Sequence, residues 1–179
     1  VSRGLGDVYK RQDCLRASMD EETLDAFLAA DNDIPKTALQ CNPLIAAPEQ
    51  VASALDEAQI PYEPHPWLPG CFLVSGTGNL EALPLFQSGA VYVQDPAAKL
   101  AALASGAAPG MRVLDCCAAP GGKSFAAVMQ MENTGSILSC DLHPHKIALI
   151  EKNAARLGIS ILKAETRSAA EFDPALENG

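Results

Sequence analysis

The sequence predicts an α/β protein whose second half forms a parallel, doubly wound sheet. From residue 95 onward, short apolar runs of strand length alternate with helical patterns, and strands joined by helices in this way lie parallel in one sheet. Prolines open the helical patterns and glycines follow them, as they do at helix ends. With 179 residues, 48% of them hydrophobic, the chain is able to bury a core of this kind.

Composition and charge exclude several classes of protein. Lys and Arg number 13 against 22 Asp and Glu, for a net charge of −9, which argues against a surface that binds nucleic acid everywhere by charge and leaves room for a local basic groove. No apolar run approaches the roughly 18 residues that span a bilayer, and the amino end does not have the pattern of a signal peptide, so we expect a soluble, cytoplasmic protein. The six cysteines form neither a C-x-x-C pair nor a zinc spacing, which predicts free thiols and no metal.

The first 33 residues are expected to lie outside the main fold. Residues 1–12, VSRGLGDVYKRQ, are basic and have no hydrophobic period, so we interpret them as a non-native or disordered arm; a short basic arm for nucleic acid is the alternative. Residues 13–33 follow as a helical linker, in which four apolar residues have helical spacing before Asp31-Asn32-Asp33 ends the helix.

Residues 34–94 are predicted to form a small α/β subdomain. Strands are predicted at Thr37–Cys41, Cys71–Val74 and Ala90–Val93, where short apolar runs end in turn residues. Between the first two, Pro48 begins an amphipathic helix.

Residues 95–179 hold the clearer pattern. Asp95 caps a helix that begins at Pro96 and ends near Gly106. The elements predicted after it are, in order, a strand at Arg112–Asp115, a helix at Lys123–Met131, a strand at Ser136–Cys140, a helix from Pro144 to Gly158 and a strand at Ile159–Lys163. Open sheets of this type usually carry about five or six strands. Three strands therefore predict the amino-terminal part of a longer domain.

The loop after the first of these strands is the candidate ligand site, because ligands bind beyond the carboxyl ends of the strands in such sheets. It reads Cys116-Cys117-Ala118-Ala119-Pro120-Gly121-Gly122-Lys123, and its small side chains let backbone N–H groups approach a ligand at a helix start. A phosphate-binding P-loop needs glycine where Cys117 stands, and the dinucleotide pattern G-x-G-x-x-G needs glycine where Ala119 stands. Neither nucleotide signature is present.

Asp141 ends the second strand, 19 residues after Gly122, where a carboxylate is able to accept hydrogen bonds from ribose hydroxyls. A ligand with a nucleoside and no obligatory pyrophosphate fits, and S-adenosylmethionine is such a ligand. Asp141 as an N-cap of the following helix is the alternative, and the two roles are compatible.

Three strings carry a resemblance to a known family: VLDCCAAPGGKS, SCDLHPHK and NAARLG. Together they resemble the Sun family of RNA cytosine-C5 methyltransferases, over about Leu24 to Asp173. The segments TALQCN and GAVYVQDPAAKLAA are similar to the RNA-binding subdomain of that family and to its junction with the catalytic domain. The resemblance implies an incomplete Rossmann-like, S-adenosylmethionine-dependent methyltransferase domain preceded by a small RNA-binding-like subdomain.

The same resemblance implies the site residues and partners. It assigns the methionine part of S-adenosylmethionine to Cys117, Ala118, Ala119, Pro120, Gly121, Gly122 and Lys123, and the ribose to Asp141. Glu165 stands where the family has an Asp that contacts the adenine side. The implied partner is RNA, in the first place 16S ribosomal RNA, and a monomer without membrane or metal is expected.

The catalytic residues of the family are absent from this sequence. In the family a cysteine in an Asp-Ala-Pro-Cys segment adds to C6 of cytosine, so that C5 attacks the sulfonium methyl group. No such segment occurs before Gly179, so the nucleophile is expected beyond it and this chain is expected to bind cofactor only. The alternative is a noncatalytic module that binds cofactor or RNA.

Three further residues are noted without an assigned role in the chemistry. Trp67 lies in a proline-rich segment, where a packing anchor is favoured over stacking on a base. Asn42 and Gln94 are polar residues at strand ends, and the sequence assigns them no role.

Overall fold

The computed structural model describes residues 13–31, 36–171 and 174. The chain divides into two compact units, residues 1–35 and residues 36–179. The predicted arm at residues 1–12 lies outside the described residues. Among the helices that the structure describes, none combines the length and the apolar character that crossing a membrane requires.

The described part of the first unit is helical, in two pieces. Helix α1 covers residues 13–18 and α2 covers Glu21–Asp31. The Oδ1 atom of Asp20 accepts a hydrogen bond of 2.8 Å from the Thr23 N–H, which is the geometry of a helix cap. The single helix predicted for the linker is therefore wrong, because Asp20 starts a new helix within it.

The second unit begins with a sheet of four strands. Its elements are β1 (Thr37–Cys41), α3 (Pro48–Glu57), β2 (Tyr62–Pro64), β3 (Cys71–Val74), a 3-10 turn (Leu80–Ala82), α4 (Pro84–Gln87) and β4 (Val91–Val93). The strand order is β2-β3-β1-β4, and all three pairings are antiparallel. Helix α3 covers one face of this sheet, where Val51 and Leu55 pack against Leu39, Phe72 and Val74.

A second sheet follows, and it is parallel. Its elements are α5 (Pro96–Ala104), β5 (Arg112–Asp115), α6 (Gly122–Gln130), β6 (Ser136–Asp141), α7 (Pro144–Arg156) and β7 (Leu162–Thr166). The strand order is β5-β6-β7, with Val113 opposite Ile137 and Ile137 opposite Leu162. Phe125 of α6 and Ile150 of α7 are buried in its core. The predicted parallel sheet is confirmed.

The last strand begins three residues later than predicted. The Ile159 N–H donates to the Ala154 carbonyl, and the Ser160 N–H donates to Oδ1 of Asn133 at 3.1 Å. The first bond holds Ile159 in the turn that ends α7, and the second binds Ser160 to the turn after α6, so the strand predicted at Ile159–Lys163 is displaced toward the carboxyl end. Glu165 consequently lies inside β7 rather than after it.

Candidate functional site

The predicted ligand loop lies at the carboxyl edge of the parallel sheet. It connects β5 to α6, and two backbone hydrogen bonds shape it. The Ala118 N–H donates to the Cys140 carbonyl at 2.9 Å, and the Gly121 N–H donates to the Ala118 carbonyl at 2.7 Å. The loop is therefore bound to the end of β6, the strand that carries Asp141.

Gly121 cannot carry a side chain at this place. Its φ of 111° is in the left-handed region, and a Cβ atom would lie 2.1 Å from Cζ of the buried Phe125. Since L-residues with a side chain rarely adopt such a φ, glycine is required for the turn into α6.

Asp141 is nearly buried and holds the loop. Its Oδ2 accepts a hydrogen bond of 3.3 Å from the Ala119 N–H, and its Oδ1 accepts one of 3.2 Å from the His143 N–H. The Lys146 ammonium lies 3.7 Å from Oδ1. The hydrogen bond from His143, with help from Lys146, lowers the pKa of Asp141 below its ordinary value. Asp141 is thus a carboxylate at neutral pH and is able to accept further hydrogen bonds.

A second carboxylate, Asp115 at the end of β5, was not found by sequence reasoning. Its Oδ1 accepts a hydrogen bond of 3.1 Å from the Cys117 N–H, and its Oδ2 accepts one of 2.8 Å from the Ser124 hydroxyl. The Ser139 hydroxyl donates in turn to Ser124 at 2.8 Å. Asp115 therefore joins the loop, α6 and β6. Its place at a strand end just before the loop was the available signal.

Lys123 and Glu165 complete the predicted set. The Lys123 ammonium donates to the Cys117 carbonyl at 3.1 Å, so this side chain folds back over the loop. Glu165 makes ion pairs with Lys163 at 2.7 Å and with Arg167 at 3.1 Å. Hydrogen bonds from those two side chains, that of Lys163 first, lower the pKa of Glu165.

The structure thus brings the loop and Asp141 together, while Glu165 lies on the neighbouring strand opposite Cys140. The carboxylate of Glu165 is occupied by its two cationic neighbours. The contacts of all these residues with a cofactor stay predictions.

The described cysteines divide into exposed and buried ones. Cys14 is exposed in the first unit and Cys116 and Cys117 are exposed in the loop, whereas Cys41, Cys71 and Cys140 are buried. Burial raises the pKa of Cys41 to about 11 and also raises the pKa values of Cys71 and Cys140. These three are therefore neutral thiols at physiological pH, which is the inert form. Within the described residues, no group of three or more His, Cys, Asp or Glu side chains is arranged to hold a metal ion.

Trp67 is not the packing anchor that the sequence favoured. Trp67 is 68% exposed, and its ring forms a T-shaped pair with that of His65, with centroids 4.9 Å apart. The next residue, Leu68, is buried in its place. The proline-rich segment turns Leu68 inward and leaves Trp67 at the surface.

Asn42 joins the two sheets of the second unit. It is completely buried, and its Nδ2 donates to the carbonyl groups of Gly89 and Leu157, each at 2.9 Å. Its Oδ1 accepts the Leu44 N–H at 3.1 Å. Every polar atom of the side chain is thereby paired, and the end of β1 is bound to the end of α7.

Gln94, the residue after β4, is buried but unpaired. Its backbone is bonded on both sides, to the Ala38 carbonyl and to Nε2 of Gln40. Neither polar atom of its side chain has a hydrogen-bond partner among the described residues. The side chain packs on Gly122, where an added Cβ atom would lie 3.2 Å from its Nε2. An unpaired amide in this position destabilises the chain on its own.

We expect Gln94→Met to stabilise the chain by about 1 kcal/mol, because it removes two unpaired polar atoms and keeps the volume. Urea unfolding monitored by circular dichroism measures the change. Gln40→Met is the matched control and is expected to destabilise, since Nε2 of Gln40 donates to the Gln94 carbonyl and to Sγ of Cys71. A loss of stability in Gln94→Met as large as that in Gln40→Met would contradict the unpaired state of Gln94.

Comparison with known proteins identifies relatives of the chain. Residues 102–176 match the family model of the 16S rRNA methyltransferase RsmB/F. The chain is 44% identical over 101 residues to the probable ribosomal RNA small subunit methyltransferase B of Bacillus subtilis, which covers 56% of this chain and 23% of that relative. It is 29% identical over 109 residues to the 28S rRNA (cytosine-C(5))-methyltransferase of Mus musculus, an alignment that covers 61% of this chain and 23% of that relative. The chain therefore spans about a quarter of the length of these curated relatives.

Solved structures show the same architecture. The crystal structure of PH0851 covers 87% of this chain and 35% of its own, with a TM-score of 0.81 at 26% identity. The crystal structure of NSun6 from Pyrococcus horikoshii with SFG covers 88% of this chain and 64% of its own, with a TM-score of 0.79 at 15% identity. The fold is thus that of a Rossmann-like methyltransferase, represented here by three parallel strands and preceded by a small α/β part. The family model and the curated relatives thus make the chain similar to ribosomal RNA methyltransferases.

Proposed function

We propose that this chain is part of an enzyme that transfers a methyl group from S-adenosylmethionine to C5 of a cytosine in ribosomal RNA, of the 16S type. The proposal rests on the curated relatives, which are named as ribosomal RNA methyltransferases, and on one observation at the site. The carboxylate of Asp141 accepts a hydrogen bond from the Ala119 N–H of the ligand loop. The carboxylate proposed to bind the ribose therefore lies beside the loop whose backbone N–H groups are proposed to bind the methionine part. Residues 34–94 are the RNA-binding part in this proposal, and residues 95–179 are the amino-terminal part of the methyltransferase domain.

The residues present fit the cofactor. A Cβ atom at Gly121 would collide with the Phe125 ring, so glycine allows the tight turn into α6, and the N–H groups at the start of that helix suit the carboxylate of a methionine moiety. Asp141, ionised and nearly buried, suits the two hydroxyls of a ribose. S-adenosylmethionine supplies the sulfonium methyl group when it is bound. The role of Cys117–Lys123, Asp141 and Glu165 is thus to bind and orient, with Asp115 as the residue that holds the loop.

The chain by itself is proposed to stop at cofactor binding. Cys117 is exposed, but its N–H is bonded to Asp115 and its carbonyl to Lys123, so it belongs to the loop that faces the cofactor. The buried thiols of Cys41, Cys71 and Cys140 offer no better nucleophile, because burial raises their pKa values. A cysteine in an Asp-Ala-Pro-Cys segment is needed for addition to C6, and the sequence contains none. A noncatalytic binding module is the second candidate for the same reason.

Calorimetric titration of the chain with S-adenosylmethionine tests the cofactor assignment. We expect binding by the chain as it stands and a loss of about 10- to 100-fold in affinity for Asp141→Ala, since charge-assisted hydrogen bonds to the ribose are removed. Asp56→Ala, which changes an exposed carboxylate on α3, is the matched control and is expected to leave the affinity unchanged.

Three outcomes would contradict the proposal. An unchanged affinity in Asp141→Ala would refute the ribose contact, and failure of the folded chain to bind at all would refute the cofactor. Transfer of a labelled methyl group to ribosomal RNA by this chain alone would refute the view that its nucleophile lies in another segment.

A further inference from the structure

The ligand loop begins with two adjacent cysteines, Cys116 and Cys117, whose sulfur atoms have no role in the proposed chemistry. Both residues are exposed, whereas Cys41, Cys71 and Cys140 are buried. No other two cysteines of the sequence are neighbours. The loop therefore presents two thiols to solvent from consecutive positions of the chain.

Hydrogen bonds fix the backbone of this pair. Cys116 and Cys117 follow β5 directly and lie in a turn, so the alternation that sends neighbouring side chains of a strand to opposite faces does not apply to them. The Cys117 N–H donates to Oδ1 of Asp115, and its carbonyl group accepts a hydrogen bond from the Lys123 ammonium. These bonds hold the turn through the backbone groups of Cys117 and do not use its sulfur.

A direct disulfide within the pair does not suit this turn. The peptide bond between Cys116 and Cys117 is trans, and consecutive Cα atoms across a trans peptide are about 3.8 Å apart. Disulfides usually join Cα atoms that are about 4.4–6.8 Å apart. An atom placed between the two sulfurs lengthens the bridge and removes this restriction. The pair is therefore better suited to hold a bridging atom than to close on itself.

The number of sulfur atoms indicates which bridging atom fits. A structural zinc ion takes four protein ligands, and the residues that the structure describes include no group of three or more His, Cys, Asp or Glu side chains arranged to hold a metal ion. A trivalent arsenic atom that already carries one carbon group has two bonds left to make. Two thiols on one turn supply both of these bonds.

We propose that Cys116 and Cys117 form a dithiol site for monosubstituted trivalent arsenicals, which are compounds of the form R–As=O. Two S–H bonds and the arsenic–oxygen double bond break, and two arsenic–sulfur bonds form. The oxygen leaves as water together with the two thiol protons. Arsenic stays trivalent throughout, so the reaction needs neither an oxidant nor a reductant.

The dithiol site overlaps the cofactor site, and this consequence rests on the proposed function. Cys117 is one of the residues proposed to bind the methionine part of S-adenosylmethionine. Two residues further on, the Ala119 N–H is bound to Asp141, the residue proposed to bind the ribose. A group R held by the two sulfurs occupies the same end of the loop, so the arsenical and the cofactor exclude each other.

Phenylarsine oxide is the probe for the test, added to the chain after purification under reducing conditions. Intact-mass spectrometry is expected to show one adduct per chain, at the mass of the reagent less one water. A chromogenic thiol reagent is expected to count two fewer accessible thiols after the reaction, with Cys14 as the exposed thiol that remains. A small dithiol is expected to remove the adduct much faster than a monothiol at the same thiol concentration, because two bonds to one arsenic atom have to be replaced together.

Substitutions identify the two sulfurs. Cys116→Ser and Cys117→Ser are each expected to weaken binding of phenylarsine oxide about 100-fold or more, because a single thiol has no second bond within the same molecule. Cys14→Ser is the matched control, since it removes an exposed thiol of the first unit, and it is expected to bind the probe as the native chain does. Cys140→Ala, which removes a buried thiol of β6, is expected to do the same.

Three results would overturn the dithiol site. The first is native binding by Cys117→Ser or by Cys116→Ser, which would mean that the arsenic bridges a different pair of thiols. The second is a loss in Cys14→Ser as large as that in Cys116→Ser. The third is equally fast removal of the adduct by the monothiol and by the dithiol. Because the side chains at 14, 116 and 117 are exposed, circular dichroism is expected to show these serine variants folded.

Calorimetric titration with S-adenosylmethionine separates this inference from the proposed function. Phenylarsine oxide is expected to lower the cofactor affinity of the native chain about tenfold or more, and to have no such effect on Cys116→Ser at the same concentration. A bound probe that leaves the affinity of the native chain unchanged would refute the overlap of the two sites. A chain that binds the probe through both sulfurs but never binds the cofactor would refute the cofactor assignment alone.

Discussion

Gly89→Ala is expected to reduce the free energy of unfolding by about 3 kcal/mol or more. Gly89 has a φ of 79°, and an added Cβ atom would lie 2.0 Å from the carbonyl oxygen of Arg156 and 3.0 Å from Cδ1 of Ile45. The oxygen belongs to the backbone at the end of α7 and cannot turn aside as a side chain would. Both the left-handed conformation and the collision therefore oppose the substitution.

The measurement is urea unfolding of the chain and of a matched variant, Gly106→Ala. Gly106 has a similar φ of 68°, but nothing lies within 4 Å of its added Cβ atom. This control is expected to lose only about 1 kcal/mol, from the conformational penalty alone. Equal losses in the two variants would show that Gly89 does not pack against α7 in solution.

Asn42→Ala is expected to lower the free energy of unfolding by about 3 kcal/mol. The substitution removes the donor of two hydrogen bonds and the acceptor of a third. It leaves the carbonyl groups of Gly89 and Leu157 without their hydrogen-bond donor. The site is buried, since Asn42 is 0% exposed. Unpaired buried groups lose their hydration without compensation, so the effect exceeds that of an exposed hydrogen bond.

Asn79→Ala serves as the control for this prediction, because the exposed Asn79 accepts one hydrogen bond, from the Glu81 N–H, and its loss is expected to cost about 0.5–1 kcal/mol. Asn42→Asp gives a further check. The introduced carboxylate would face two carbonyl oxygens, which favours its neutral form and raises its pKa. Its deficit, meaning the loss of unfolding free energy relative to the native chain, should therefore shrink as the pH falls, because protonation of the carboxylate restores a hydrogen-bond donor. A deficit that grew with acid would contradict the pairing of Asn42.

The parallel sheet was predictable because its signals are local. β5 was predicted with its observed ends and β6 to within one residue, since each is an apolar run closed by a polar turn. β2 was not predicted: it has three residues and includes Pro64, and only its pairing with β3 defines it. β7 was placed too early because the apolar residues of the preceding turn continue its hydrophobic run.

The candidate site divides in the same way. The loop and Asp141 follow from their positions at the ends of consecutive strands, and glycine at 121 follows from the turn. The role of Asn42 did not follow from the sequence, because it depends on a distant partner: the hydrogen bond of Asn42 to Leu157 spans 115 residues of sequence. The exposure of Trp67 was missed for a related reason, since the composition of a loop does not say which of two adjacent apolar residues turns inward.

The connection of α7 to the first sheet has a consequence for how a substrate would be presented. A buried hydrogen bond of Asn42 and a partly buried one of Arg156 connect α7 to the first sheet, so this connection does not behave as a flexible linker with a distribution of lengths. In the proposed function, an RNA segment bound at the first sheet would hold its neighbouring nucleotides at a fixed distance from the ligand loop. No search through linker conformations would be needed before these nucleotides reach the loop. The distance between the nucleotide bound by the first sheet and the nucleotide that is methylated would then be set by the fold.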